Sequence, residues 1–286
     1  MRISDRMIQL STMAGLRGGL ARLNVAQRQA ASGKRIERVS DDPVDAAQAM
    51  RMQGQLAAID QYRRNAGSAT TRLATEESVL QASRDILSRA RKLASSVNAT
   101  DPADPTRISA LQELGFLKEQ LVSLANTRIG DERLFGGGET ALPFLPDGTY
   151  VGGTSIHEVQ VDDGVRLATS FTGAIFASSF QSLDALDAAL RSGTPADISA
   201  AFSPLQAAEE SLLAREAETG ARQRQINDSV VQLGGRSQVL LDRVQALTDV
   251  DPAESLLKAQ AAQHALERAY VVAQRTLSLN ITDYLR

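Results

Sequence analysis

Both ends of the chain carry a narrow apolar stripe at helical spacing, and neither stripe can remain in water by itself. In the first, from about Ile3 to Ile36, the residues Ile3, Met7, Leu10, Met13, Leu16, Leu20 and Leu23 follow at steps of three and four and are continued by Gln27 and Ala30. Such steps line one face of a helix. The last segment, Ala253 to Leu285, repeats the pattern through Leu256, Ala259, Gln263, Leu266, Tyr270, Ala273, Leu277 and Ile281. A helix of this size is about 48 Å long. A stripe that long and that narrow is covered by another helix rather than by a globule, so the terminal helices are expected to pair with each other or with neighbouring subunits.

Composition narrows the class. Of 286 residues, 43% are hydrophobic and 23% charged, enough for one or two sizeable cores and unlike a disordered chain. Cysteine is absent, which excludes a disulfide framework, a thiolate metal site and a cysteine nucleophile. Tryptophan is absent as well and aromatics are only 4%, as suits long helices packed through small residues. No apolar run approaches the roughly 20 residues of a membrane span. The start has no compact apolar stretch followed by a small-residue cleavage site, so export, if it occurs, is expected by a route that cleaves no signal.

The first forty residues are basic, with Arg2, Arg6, Arg17, Arg22, Arg28, Lys34, Arg35 and Arg38 against Asp5 and Glu37. An organellar transit peptide has this look, and a basic helix can also dock on nucleic acid or a membrane surface. Aromatics are missing, however, the cations do not cluster, and the whole chain carries a net charge of -3. With a matching stripe at the far end, the segment reads as a retained interaction helix.

Between the ends the organisation is nested. Asp42-Pro43-Val44-Asp45 supplies an N-cap, a proline at the first helical position and an acid at the third, and Asp251-Pro252-Ala253-Glu254 repeats it. Asp42, Asp45, Asp251 and Glu254 are therefore the candidate capping residues. One long helix is predicted from Val44 to about Asn98, a second from about Thr106 to Ile129 after the Asp101 to Pro105 break, and others over Ser182 to Leu190 and Ala196 to Leu247. Gly220 and Gly234-Gly235 mark expected weak points or kinks in the last. From 130 to 180, glycine and β-branched residues rise, and Val159 and Val161 lead through Asp162-Asp163-Gly164 to Val165 and Leu167, a hairpin signal. The expected fold is mainly α: an elongated rod of long antiparallel helices, with paired terminal coiled-coil helices and a small β-rich insertion. The expected division is 1–38 with 250–286, 39–134 with 181–249, and 135–180.

Four stretches carry a resemblance. The opening MRIS, the segment ASGKRIERVSDDPVDAAQAM (Ala31 to Met50), the run LANTRIGDERLFGGGETALPF (Leu124 to Phe144) and the ending LSLNITDYL (Leu277 to Leu285) together resemble the bacterial flagellin superfamily. Ala31 to Arg35 and Asp41-Asp42-Pro43, where flagellins proper carry other stretches, resemble its hook–filament junction branch. The resemblance implies a non-enzymatic structural protein of the extracellular flagellum, without cofactor, exported unfolded through the flagellar apparatus. It implies self-assembly into a ring between a neighbouring hook-associated protein and flagellin, and a cytoplasmic export chaperone over the C-terminal helix. It also implies subunit contacts through Ile3, Met7, Leu10, Leu16, Leu20, Leu23, Leu256, Leu266, Tyr270, Leu277 and Ile281. Terminal stripes unpaired in the monomer would fold as neighbours arrive. The alternatives are a flagellin filament subunit, or a helical secretion or signalling coiled-coil protein.

Enzymatic readings find little support. Asp41, Asp42 and Asp45 could be drawn as a metal cluster, but capping accounts for them and no ligand set completes it. His157 and His264 are the only histidines, neither in a nucleophile setting. Phe135-Gly136-Gly137-Gly138 and Gly152-Gly153 lack the lysine and the strand–loop–helix frame of a phosphate loop, and read as turns. Asp85 to Ala94 resembles the flagellin helix that innate immune receptors read; its arginines are better explained as a solvated or ion-paired face.

Overall fold

The computed structural model describes residues 2–97, 101–139 and 141–284, with side chains over the same ranges except 2–6, 8–9 and 276–284. Its helices are α1 (Arg2–Ser32), α2 (Pro43–Ser96), α3 (Pro105–Ala125), α4 (Ala177–Ser192), α5 (Pro195–Ala200), α6 (Phe202–Thr248) and α7 (Pro252–Tyr284). Four short strands, β1 (Arg128–Ile129), β2 (Glu132–Arg133), β3 (Glu158–Asp162) and β4 (Val165–Ala168), form two antiparallel pairs. The fold is mainly α. It divides into two compact units, residues 1–57 with 237–286, and residues 58–236.

In the first unit α1 and α7 pack antiparallel: Gly33, just past α1, accepts from Val250 N just before α7, while Gly19 lies against Leu266. The residues turned inward are Leu16, Gly19, Leu23, Ala26 and Ala30 on α1 and Ser255, Ala259, Ala262, Leu266, Ala269 and Ala273 on α7. Both sets step by three and four, a coiled-coil seam. The seam shares Leu16, Leu23, Ala30, Ala259, Leu266 and Ala273 with the stripes read from sequence and departs from them at the positions between. Met7, Leu10, Met13, Leu20, Leu256 and Tyr270 stand beside it, exposed. The physical reason is close approach: Gly19 has no Cβ, so the Leu266 side chain seats directly on the α1 backbone, which a larger residue in that position would prevent.

The second unit holds the main core. Leu80 and Leu87 from α2, Leu114, Leu117 and Leu121 from α3, Leu183, Leu186 and Leu190 from α4, Ile198 from α5 and Leu205 and Leu212 from α6 are all buried together. Their heptad-like spacing is what long helices need to cover one another. α3 starts at an N-cap, Asp104, whose side chain accepts from Thr106 N with Pro105 in the first turn, and α5 starts at a reciprocal Thr194/Asp197 capping box. Arg107 is fully buried and donates to the carbonyls of Ala189, Leu190 and Gly193, closing the C-terminal end of α4. The β3–β4 hairpin turns at Gly164, whose φ of 68° is left-handed. Val161 on β3 is buried with Ala66, Ala69 and Leu73 of α2 and Ile226 of α6.

Three expectations are revised. The helix expected over Ala196 to Leu247 is divided at Ala201 into α5 and α6, and α6 then continues through Gly220 and Gly234-Gly235. α3 ends at Ala125 rather than Ile129, because Arg128–Ile129 is drawn into a strand with Glu132–Arg133. α1 ends at Ser32 rather than Ile36, because Gly33 turns left-handed with φ 69°.

Candidate assembly surface and its supporting clasp

The outward residues of the terminal pair form the candidate functional surface. Among those expected to make subunit contacts, Met7, Leu10, Leu20, Leu256 and Tyr270 are exposed by between 49% and 67%. Leu16, Leu23 and Leu266 are half-buried in the α1–α7 seam. The side chains of Ile3, Leu277 and Ile281 lie outside the described residues. Met13, Val25, Leu257, Val271 and Val272 are also exposed, so the first unit presents large apolar side chains on more than one side. Apolar exposure on that scale marks an interaction surface.

A clasp of short segments holds this pair at the meeting of α1, α2, α6 and α7. Lys34 and Asp249 form an isolated antiparallel bridge and their side chains pair. Arg35 N donates to Thr248 O at 2.6 Å, and its guanidinium donates to Leu247 O from both Nε (3.2 Å) and Nη2 (2.7 Å). The same guanidinium reaches Asp42 Oδ2 at 3.0 Å and also pairs with Asp45. One planar fork therefore ties the start of α2 to the end of α6, a task suited to arginine rather than lysine.

Several residues of the Ala31 to Pro43 motif acquire a local reason. Gly33 permits the left-handed exit from α1; Asp41 Oδ2 accepts from Glu37 N (3.1 Å) and Arg38 N (2.9 Å), closing the loop. Asp42 caps α2, its Oδ1 accepting from Asp45 N at 3.2 Å. These backbone donors, then Arg35, hold the Asp42 carboxyl below the usual range. Asp251 caps α7, accepting from Ala253 N (2.8 Å) and Glu254 N (3.5 Å). The third-position acids do not reach back: Asp45 turns to Arg35 and Glu254 to Lys258 at 2.7 Å. All three acids of the apparent metal cluster are thus engaged by backbone or Arg35. Among the described residues, no group of three His, Cys, Asp or Glu side chains could hold a metal ion.

The Leu124 to Phe144 run builds a second fixture, in the other unit. The Asn126 carboxamide pairs with Phe144 in both directions, accepting its N–H and donating to its carbonyl at 3.0 Å each. Arg133 Nη1 donates to Asn126 O at 2.8 Å. Phe135, Phe144 and Phe176 stack edge-on, and the Tyr150 hydroxyl donates to Gly153 O. Gly137 is required here: a Cβ would lie 1.9 Å from Gly153 O, and its φ is 64°. The glycines are turns and contacts for tight backbone crossing.

The arginines of the Asp85 to Ala94 segment are ion-paired within the chain. Arg89 reaches Glu113 of α3 at 2.6 Å, and Arg91 reaches Glu209 of α6 at 3.4 Å. His157 Nδ1 lies 2.7 Å from Thr169 Oγ1, and His264 Nδ1 3.2 Å from Glu267. No helix among the described residues is long and apolar enough to cross a membrane.

The chain is mainly helical, its terminal helices pair, and its middle carries two short antiparallel strand pairs. Residues 3–140 match the family described as the bacterial flagellin N-terminal helical region. The chain is thus similar to bacterial flagellins over just under half of its length. It is also 34% identical to flagellar hook-associated protein 3 of Escherichia coli (strain K12) over 177 residues, 60% of this chain and 56% of that one. It is likewise 34% identical over 178 residues to the protein of the same name from Salmonella typhimurium, covering 61% of this chain and 56% of the other. The matched part thus spans little more than half the length of these relatives. The crystal structure of Bacillus cereus FlgL superposes with a TM-score of 0.61 at 22% identity, over 68% of this chain and 99% of that one, which establishes the flagellin-like fold.

Proposed function

We propose that the protein is a non-enzymatic structural component of the extracellular bacterial flagellum, joining the hook, through a neighbouring hook-associated protein, to the flagellin filament. The observation that carries this reading is the exposed apolar surface of the terminal helix pair, in a chain that is 34% identical to two relatives named for the hook. Residues 1–38 with 250–286 serve as the assembly domain, 39–134 with 181–249 as the helical middle, and 135–180 as a small outer β-rich part. Subunits contact one another through Met7, Leu10, Leu20, Leu256 and Tyr270, together with Ile3, Leu277 and Ile281, and close into a ring. Export proceeds through the flagellar apparatus, with a cytoplasmic chaperone over the C-terminal helix.

The test is deletion of the gene, followed by electron microscopy of the cell surface and analysis of the medium. Hooks without filaments, with unpolymerised flagellin shed, is the expected result. Normal filaments would overturn the reading, and filament loss without shed flagellin would point to a filament subunit instead. Complementation with Leu20→Asp, which changes an exposed residue, should fail although the protein is secreted.

A further inference from the structure

Beyond the assembly surface, the second unit contains a titratable group that nothing so far employs. Glu76, on α2, is fully buried. One carboxyl oxygen, Oε1, accepts from Phe171 N at 3.0 Å; the other, Oε2, is buried with no hydrogen-bond partner among the described residues. An ionised carboxylate in that position would keep a bare, desolvated oxygen, which is costly, whereas a protonated one removes the charge.

The contact it makes is at a junction. Phe171 belongs to the short segment that leaves β4 for the core. Its ring lies under the guanidinium of Arg222, 4.3 Å from the centroid, and near that of Arg215 at 5.3 Å, both on α6. The neighbouring Ser170 is also held: its carbonyl accepts from Arg222 at 3.4 Å, and its hydroxyl accepts from His157 N at 3.0 Å. The segment is therefore gripped by α2 through Glu76 and by α6 through arginine.

The geometry points to Glu76 as a proton-operated latch that grips the segment following the β3–β4 hairpin when protonated and loosens it when ionised. The charged groups around it do not cancel the burial. Arg72, one turn earlier on α2, and Arg222 on α6 favour the ionised form from a distance, while Glu218 on α6 opposes it. Arg72 is itself engaged by Glu132 at 2.9 Å, and Arg222 by Glu218 at 2.7 Å. Desolvation outweighs the Phe171 hydrogen bond and both arginines, pushing the carboxyl from 4.5 up to about 7. Because the closed form holds its proton more tightly than the open form, the stabilisation is full below the ordinary glutamate range. It is lost as pH rises through neutrality. The hold is thus firmer in mildly acidic surroundings than in mildly alkaline ones.

Hydrogen exchange on the full chain, corrected for intrinsic rates, tests this at the Phe171 amide. Between pH 5.5 and 8.5 its protection should fall by roughly 30-fold in the unsubstituted protein and stay level in Glu76→Gln, whose carboxamide oxygen can still accept from Phe171. Equal pH dependence in the two proteins, or protection that rises with pH, would overturn the latch. Should Glu76→Gln not fold, the ¹³Cδ resonance of Glu76 in the unsubstituted chain decides: a midpoint near neutrality supports the latch, and one in the ordinary glutamate range overturns it.

Discussion

Leu266 sits on the backbone of α1 at Gly19, so near that a Cβ there would lie 3.1 Å from its Cδ1. Gly19→Ala asks only that the tip of a flexible leucine give by a few tenths of an ångström, and the helix gains about 0.5–1 kcal/mol from losing a glycine, so the two effects roughly offset. Gly19→Leu cannot be accommodated without separating the helices, at a cost of about 1–3 kcal/mol. Trypsin should then cut within α1 faster than in the parent protein, while the melting of residues 58–236 stays unchanged.

The seam around that contact is built largely of glycine, alanine and serine, and such residues bury little apolar area. Arg17, Arg22 and Arg28 on α1 and Lys258 and Arg268 on α7 are exposed. Limited trypsin digestion of the free protein should therefore remove roughly the first 40 and last 35 residues and leave a resistant middle. Termini that survive as long as the core would show that the pair is stable without neighbours.

Arg107 is a buried cation whose hydrogen bonds end on carbonyls at the C-terminal end of α4. That end carries the negative pole of the helix dipole. Arg107→Met fills much of the volume but strands those carbonyls, with an expected loss of about 3 kcal/mol. Urea denaturation followed by circular dichroism checks the figure.

Acid should act on the two units in opposite senses. In the clasp, backbone donors and Arg35 hold Asp42 below the usual range, and Lys34, then Thr248, does the same for Asp249. Depressed carboxyls stabilise above their unfolded values, and the contribution is lost as pH falls through the folded ones. Exchange of the Asp45 and Val250 amides should therefore rise below about pH 4, where the Glu76 contact is at its firmest. An Arg35→Lys variant should open at higher pH than the parent, since it loses the fork that spans Leu247 O and the two acids.

The sequence is most informative where periodicity and turn chemistry agree. Asp42-Pro43 and Asp251-Pro252 mark the starts of α2 and α7, and Val159 to Leu167 marks the hairpin, because caps and tight turns are local. The stripes and the seam coincide at Leu16, Leu23, Ala30, Ala259, Leu266 and Ala273 and part at the positions between, since a stripe of apolar residues signals burial somewhere without saying in which partner. Here the smaller Gly19 and Ala26 turn inward and Met13 and Leu20 turn out. Glu76, Arg107 and Asn126 gave no signal at all. Each is polar on a helix or at its end, as a solvent-facing residue would be, and only the packing of segments distant in sequence buries Glu76 and Arg107 and partly covers Asn126. The pairing of Asp45 with Arg35 rather than with its own helix start was hidden for the same reason.

Most inward residues of α1 and α7 are glycine, alanine or serine, and at Gly19 the Leu266 side chain meets bare backbone. Such a contact works as a gauge more than as an adhesive: it sets the spacing of two helices to a fixed value, and the methionines, leucines and tyrosine on the outside stay free for the proposed contacts between subunits. Copies stacked side by side would then inherit their pitch from a glycine.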